Sequence, residues 1–247
     1  MQSTDSIFSR HHHWDRNFNL LMMGLIWLGV VMGFGPGVLA HLNGQRPAPP
    51  LIIHVHAAAF VGWLVLLTAQ ILLIRTNRRA AHQKLGIALA LLAVVMIVIG
   101  PLAEYMIQME YLGTSRSRPG FMSVAIAIMI VFAAFTGIAL KRRADSALHK
   151  RLMLMATIYI ASAGFARWTR PWTAAIFGNG FAGTFATLYL GIDLLYLCIA
   201  AYDLKTRGRL HPAFLTAMGW VLASQLLSVW LLFQPWWVDF CTRWVSP

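Results

Sequence analysis

The sequence predicts an all-α, polytopic membrane protein: a bundle of seven transmembrane helices. Its 247 residues are 59% hydrophobic and only 11% charged, whereas a soluble domain carries about 25% charged residues. Seven apolar runs reach or approach the roughly 20 residues that cross a hydrocarbon core. We place them at 19–40, 51–74, 86–108, 121–140, 152–168, 181–202 and 213–234. The chain then divides into an N-terminal segment (1–18), a transmembrane domain (19–234) and a C-terminal segment (235–247).

The first and fifth runs need separate justification. Arg10 and Arg16 precede the first run, as in a signal peptide, but the run is about 22 residues long. A signal-peptide core has only roughly 7–15 apolar residues, so we expect a retained helix. The fifth run, 152–168, is the shortest, and we expect its end to extend through the Trp and Arg residues that follow.

The basic residues predict the orientation of the bundle. Fourteen of the 20 lie in the N-terminal segment and in the loops after spans two, four and six. Because Lys and Arg accumulate on the cytoplasmic side, this asymmetry predicts an N-in, C-out topology. The net charge of +12 is then a topology signal and an attraction to anionic lipid headgroups, and it requires no nucleic-acid partner. The six remaining basic residues are Arg46, Arg116, Arg118, Arg167, Arg170 and Arg243.

A hairpin pattern repeats three times. An apolar run ends in a short basic loop, the loop leads to a histidine, and the next run follows at once. The units read IRTNRRAAHQKLGIAL from Ile74, LKRRADSALHKRLMLM from Leu140 and LKTRGRLHPAFLTAM from Leu204. They contain His82, His149 and His211, and we expect these three imidazoles at one depth on the cytoplasmic side.

The three histidines suggest a metal site. A histidine at a helix N-terminus feels the positive end of the helix dipole, which favours the neutral ring that can bind a metal or haem iron. With Asp203, which precedes the third loop, His82, His149 and His211 would make a ligand set compatible with zinc or non-haem iron. The alternative is that each histidine caps or anchors its own helix.

Further histidines lie at the outer level, at His41, His54 and His56. His54 and His56 diverge by about 200° in a regular helix, so both cannot face one metal unless the first turn is unwound. His56, Trp63 and Gln70 follow one another at seven-residue intervals and therefore share a helix face. That face predicts either packing against a neighbouring helix or an outer functional site.

Asp193 lies near the middle of span six, where an ionisable residue is costly and is usually functional or paired. Tyr189 and Tyr196 are four residues before it and three after it, so the three side chains leave one face of the helix. We expect a polar interior between the last three helices.

Five segments carry a resemblance that covers nearly the whole chain. They are HVHAAAFVGWLVLLTAQ from His54, RRAAHQKLG from Arg78, ALHKRLMLMAT from Ala147, ARW from Ala166 and YDLKTRGRLHP from Tyr202. They resemble a widespread, functionally uncharacterised family of bacterial seven-span membrane proteins. The resemblance implies the fold and a location in the bacterial inner membrane, and it implies no activity.

The placement of the histidines is also similar, more distantly, to the transmembrane di-haem cytochromes b. That resemblance implies a haem b held by His82 and His149 at the inner ends of spans three and five. Span four has no histidine to face His54 or His56 across a second haem, although His41 or Met122 is available. The similarity therefore implies one haem, with the outer histidines forming a second site or a quinone pocket.

These observations lead to three functional hypotheses. The first is a membrane oxidoreductase or electron-transfer protein that binds haem b or a transition metal through its histidines. The second is a lipid-binding or accessory subunit with no cofactor, whose polar residues pack the helices. The third is a metal-dependent lipid hydrolase, which is disfavoured because the last span has only His211 at its start and no histidine four residues on.

Overall fold

The computed structural model describes residues 12–246, and every regular element in that range is helical. Within residues 12–246 nine α-helices follow one another, with one turn of 3-10 helix at Pro119–Phe121 before the fourth. Their bounds are α1 Asp15–Leu42, α2 Leu51–Arg75, α3 Arg79–Tyr111, α4 Met122–Lys141, α5 Ser146–Ile160, α6 Ser162–Phe177, α7 Phe181–Arg207, α8 Pro212–Leu232 and α9 Pro235–Val245. The all-α prediction is confirmed. Residues 1–11 of the predicted N-terminal segment lie outside the described residues.

Six of these helices are long and apolar enough to cross a membrane: α1, α2, α3, α4 with its preceding turn, α7 and α8. Their apolar residues are only partly buried inside the protein, and Leu91, Leu194 and Leu215 are each more than half exposed. Exposed leucines on such long helices are what a lipid environment requires. The chain is therefore a multi-pass membrane protein.

The fifth predicted span, 152–168, differs from the prediction. It is divided between two short consecutive helices, α5 and α6, which meet at Ala161. All ten residues from Arg151 to Ile160 are buried, which places α5 inside the bundle, where protein surrounds it. A break in a helix is tolerated at that position, because neighbouring helices rather than lipid contact the freed backbone groups.

Close backbone contact between α1 and α6 explains the glycines along these helices. A methyl group at Gly33 would lie 2.0 Å from the carbonyl oxygen of Gly164, and one at Gly164 would lie 2.9 Å from that of Gly29. Small residues allow helices in a membrane to approach to this distance and to gain van der Waals contact.

Helices α2, α4 and α5 meet at Trp63 in the hydrophobic core. Trp63 on α2 is fully buried and donates from Nε1 to Oγ1 of Thr157 on α5, at 3.1 Å. Phe132 on α4 packs edge-on against its indole, with the ring centroids 4.9 Å apart. Helix α3 packs against both α2 and α4, so the four helices form a bundle.

The bundle has two chemically different ends. The basic end comprises the start of α1 and the loops 76–78, 142–145 and 208–211, and Arg16 there donates to Asn77 at 3.0 Å. The aromatic end comprises the loops 43–50, 112–118 and 178–180 together with α9. Trp237 of α9 donates to the carbonyl of Gly120 at 3.0 Å, which fixes this C-terminal helix beside the start of α4. The predicted C-terminal segment, 235–247, is thus mainly helical.

Candidate functional site

The three repeated histidines occupy two different helix positions. His82 and His149 are each the fourth residue of their helices, α3 and α5. His211 instead precedes α8 as its N-cap residue, and its Nδ1 accepts from the backbone N–H of Ala213 at 3.2 Å. The capping role of α5 falls to Asp145, whose carboxylate accepts from two backbone N–H groups. Only His82 and His149 are therefore equivalent.

The environment of His211 agrees with a structural role. The imidazole is half-buried, and its burial lowers its pKa. The positive charges of Arg151 and Arg207 act in the same direction, while the carboxylates of Asp145 and Asp203 oppose it. A neutral ring is the form that can accept the capping hydrogen bond at Nδ1, because the imidazolium has no free lone pair.

His149 has one ring nitrogen fixed. Its Nδ1 lies 2.9 Å from the carbonyl oxygen of Ala139 at the end of α4, and a carbonyl can only accept, so Nδ1 carries the proton. This hydrogen bond leaves Nε2 with its lone pair and fixes the orientation of the ring. Metal-bound and haem-bound histidines are commonly oriented in this way.

His82 lies in a site with two unsatisfied polar atoms. Its Nδ1 is buried without a hydrogen-bond partner, and so is Oε1 of Gln70. The His82 ring lies beside the backbone carbonyl of Gln70 and within electrostatic range of His149. A buried polar atom with no partner costs about 1–3 kcal/mol, so two in one place indicate a site for a ligand, ion or water.

Gln70 was missed as a member of this site by sequence reasoning, which grouped it with His56 and Trp63. The short turn between α2 and α3 could have indicated that Gln70 lies beside His82. Residues 70 and 82 are nearly equidistant from the loop 76–78, so an antiparallel hairpin brings them side by side.

The carboxylate of Asp203 accepts hydrogen bonds from two arginines, Arg151 and Arg207. Nε and Nη2 of Arg151 lie 2.9 Å and 2.5 Å from its two carboxylate oxygens, and Nη1 of Arg207 lies 3.4 Å from Oδ1. Asp203 is only 1% exposed. Its lone pairs are therefore directed to guanidinium groups, and a metal ion would have to compete with them.

A second carboxylate, Asp15, joins the same cluster and was not expected from the sequence. It accepts from Nζ of Lys150 at 2.5 Å, from Nη2 of Arg207 at 2.8 Å and from the hydroxyl of Tyr202 at 2.7 Å. Arg207 lies between the two carboxylates. The ion-pair cluster, defined by Asp15, Lys150, Arg151, Asp203 and Arg207, links α1, α5 and α7 at the basic end.

The four predicted metal ligands are thus placed in different environments. His82 and His149 act on each other electrostatically, His211 caps α8, and Asp203 binds two arginines. Across residues 12–246, no group of three or more His, Cys, Asp or Glu side chains is arranged to hold a metal ion. The fold therefore places His82 near His149, with Gln70 beside His82, and places His211 near Asp203.

Asp193 has a partner inside the bundle. Nε2 of Gln225 on α8 donates to its Oδ1 at 2.8 Å, while Oε1 of Gln225 is buried without a partner. The hydroxyls of Tyr189 and Ser228 lie 2.7 Å apart, and Ser228 donates to the carbonyl of Gln225 at 2.9 Å. A polar network therefore joins α7 to α8, as the sequence predicted.

The third residue of that predicted face, Tyr196, has a separate role. It is fully buried, and its hydroxyl donates to the carbonyl of Met155 on α5 at 3.0 Å. Tyr159, also on α5, donates to Ser224 on α8 at 3.0 Å. These two hydrogen bonds join α5 to α7 and to α8.

The outer histidines diverge. Helix α2 is regular from Leu51, so His54 is exposed while His56 is half-buried and stacks on Phe60, with ring centroids 4.1 Å apart. Nδ1 of His56 is buried and has no hydrogen-bond partner. The charge of Arg167 acts on His56, which places the His56 ring near Arg167 of α6.

No protein-family model, no curated protein and no solved structure matches this chain.

Proposed function

We propose that this chain is a seven-span protein of the bacterial inner membrane that binds a haem b or a transition-metal ion through His82 and His149 and transfers electrons. The observation that supports the proposal is the matched position of the two histidines. Both are the fourth residue of a helix at the basic end of the bundle, and His82 lies within electrostatic range of His149.

The proposed topology counts α5 and α6 together as the broken fifth span. Seven crossings put the two ends of the described chain on opposite sides of the membrane, and Asp15 indeed lies at the basic end while α9 lies at the aromatic end. The positive-inside rule assigns the basic end to the cytoplasm. The tryptophans of α9 then lie at the outer interface, where Trp is enriched.

The residues of the inner site fit such a group. Imidazole nitrogen suits haem iron and the redox-active ions of iron and copper. His149 offers Nε2 and is held by Ala139, and His82 and Gln70 each present a buried atom without a partner. Trp63 and Phe132 fill the bundle core further along the helices, so the basic end is the place for the cofactor.

The bound group would supply the one-electron chemistry. The protein residues have three other tasks. His82 and His149 bind and orient the group, the carbonyl of Ala139 keeps the proton on Nδ1 of His149, and buried apolar side chains such as Leu89 and Leu152 exclude water from the neighbouring core. An apolar environment that excludes water sets the reduction potential of a bound redox centre in part.

Cofactor content in histidine variants tests the proposal. We expect His82→Ala and His149→Ala, expressed and purified as the full chain in detergent, each to lose bound haem or metal. His54→Ala, an exposed histidine on α2, is the matched control and retains it. Equal cofactor content in all three variants, with folding confirmed by a single symmetric elution peak, would exclude the inner site.

A further inference from the structure

A cleft of about 360 Å³ lies at the aromatic end, between the outer half of α1 and α6. Its volume is in the range of roughly 300–1,000 Å³ that is typical of ligand sites. It begins where the close contact of Gly33 with Gly164 ends. Pro36, which lines it, cannot donate a hydrogen bond to the carbonyl of Met32, so α1 lacks one of its backbone hydrogen bonds at the cleft. The lining residues are Met32, Gly33, Phe34, Pro36, Gly37, Arg46, Arg167 and Trp168.

Two arginines give the cleft a positive charge that the protein leaves unpaired. The guanidinium of Arg167 lies over the ring of Phe34, 4.2 Å from its centroid, and donates from Nη1 to the carbonyl of Ala163. A terminal nitrogen of Arg46 lies 3.8 Å from the position of a methyl group at Gly37. Among the described ion pairs none includes either arginine, so most of their ten N–H groups are available.

The carboxylate of Glu104 acts on the cleft without joining any of the described ion pairs. Glu104 on α3 acts on Arg167 only at a distance, and it accepts instead from Nε2 of Gln108 at 2.8 Å. Trp168 adds a further donor, because its indole Nε1 is buried without a hydrogen-bond partner. The cleft therefore has three hydrogen-bond donors and no acceptor of matching charge.

Apolar and charged surfaces meet in this cleft. Met32 and Phe34 lie on the exposed side of α1. Val31 and Val38 lie there too, and each of these two valines is more than half exposed. Arginine is disfavoured on the outer side of an inner-membrane protein, and two of the six arginines placed there line this one cleft. An anionic head with an attached hydrocarbon chain matches both surfaces.

We propose that this cleft binds the headgroup of an anionic phospholipid, whose phosphate contacts Arg46, Arg167 and the indole N–H of Trp168 and whose acyl chain lies along Met32. The site is separate from the inner histidines, so it is independent of the proposed electron transfer. Arg is suited to the phosphate because its planar fork donates two parallel hydrogen bonds.

Native mass spectrometry of the delipidated full chain, titrated with phosphatidylglycerol or phosphatidylcholine, tests the site. We expect the wild type to retain one phosphatidylglycerol in preference to phosphatidylcholine. The double variant Arg46→Gln/Arg167→Gln should bind it about tenfold more weakly, because charge-assisted hydrogen bonds are lost. Arg170 is an exposed arginine on the same helix outside the cleft, so Arg170→Gln controls for a general effect of losing a positive charge and should bind as the wild type does.

A second variant tests the cleft without altering charge. Gly37→Leu, at a position with room for a larger side chain, should fill the cleft and weaken phosphatidylglycerol binding as well. An equal loss in Arg170→Gln and in the double variant would show a general charge effect and contradict the proposal. Wild-type binding in Gly37→Leu would also contradict it. Displacement of the lipid by inorganic phosphate alone would identify a site for free phosphate instead.

Discussion

Arg151 on α5 and Asp203 on α7 form a buried, two-point ion pair, with 2.9 Å between Nε and Oδ2 and 2.5 Å between Nη2 and Oδ1. Arg151 is 6% exposed and Asp203 only 1%. Because α5 is surrounded by protein and carries His149 two residues earlier, this pair fixes the helix that presents one of the two proposed ligands.

Removing one partner of the pair should strongly destabilise the protein. In Arg151→Met the carboxylate of Asp203 loses its two-point partner, and breaking a buried ion pair costs about 3–5 kcal/mol. We expect a large fall in the thermal unfolding temperature of the detergent-purified protein, measured by tryptophan fluorescence. The double variant Arg151→Met/Asp203→Leu should regain part of the loss.

The matched control for that experiment is Arg143→Met. Arg143 is exposed in the loop between α4 and α5, and a substitution there should change stability by less than about 0.5 kcal/mol. A loss in Arg143→Met as large as that in Arg151→Met would show that the ion pair is not the cause.

The lowered pKa of His211 predicts a pH dependence of stability. Because burial, Arg151 and Arg207 hold the folded pKa below the unfolded value near 6.5, the unfolded chain takes up a proton first as the pH falls. Stability due to His211 is therefore present at neutral pH and declines as the pH drops from about 7 to about 5.

His211→Asn tests this prediction, because Asn is a good N-cap residue and has no charge to gain. We expect the variant to match the wild type near neutral pH and to lose less stability on acidification. Parallel curves of unfolding temperature against pH for the two proteins would contradict the assignment.

The glycines of α1 provide a third prediction. Gly33→Ala should be destabilising, because its methyl group would lie 2.0 Å from the carbonyl of Gly164 and overpacking costs about 1–3 kcal/mol. Gly35→Ala, two residues on with open space around it, should be neutral or stabilising, since Ala is the better helix former. Equal effects would argue against close contact between α1 and α6.

The apolar helices could be predicted because hydrophobic length alone defines a span, and that signal is local. The break at Ala161 could not, because no proline or glycine marks it. It depends on α5 lying inside the bundle while α6 approaches α1 at Gly164.

The site could be predicted only in part, because some of its contacts join residues that lie far apart in the sequence. The matching positions of His82 and His149 follow from the repeated hairpin, which is visible in the sequence. The role of Asp15 depends on partners 135, 187 and 192 residues away, and span order does not fix helix order around a bundle. The repeated pattern groups His211 with the other two histidines. In the structure, however, His211 precedes Pro212 as a helix cap, four residues out of register with His82 and His149.

The most direct test of the central claim is an optical spectrum of the detergent-purified full chain before and after dithionite, together with elemental analysis. The account predicts a Soret band that shifts on reduction, or about one bound transition-metal ion per chain, and its loss in His149→Ala. A flat spectrum with no bound metal, in protein purified from cells supplied with haem and metals, would contradict it.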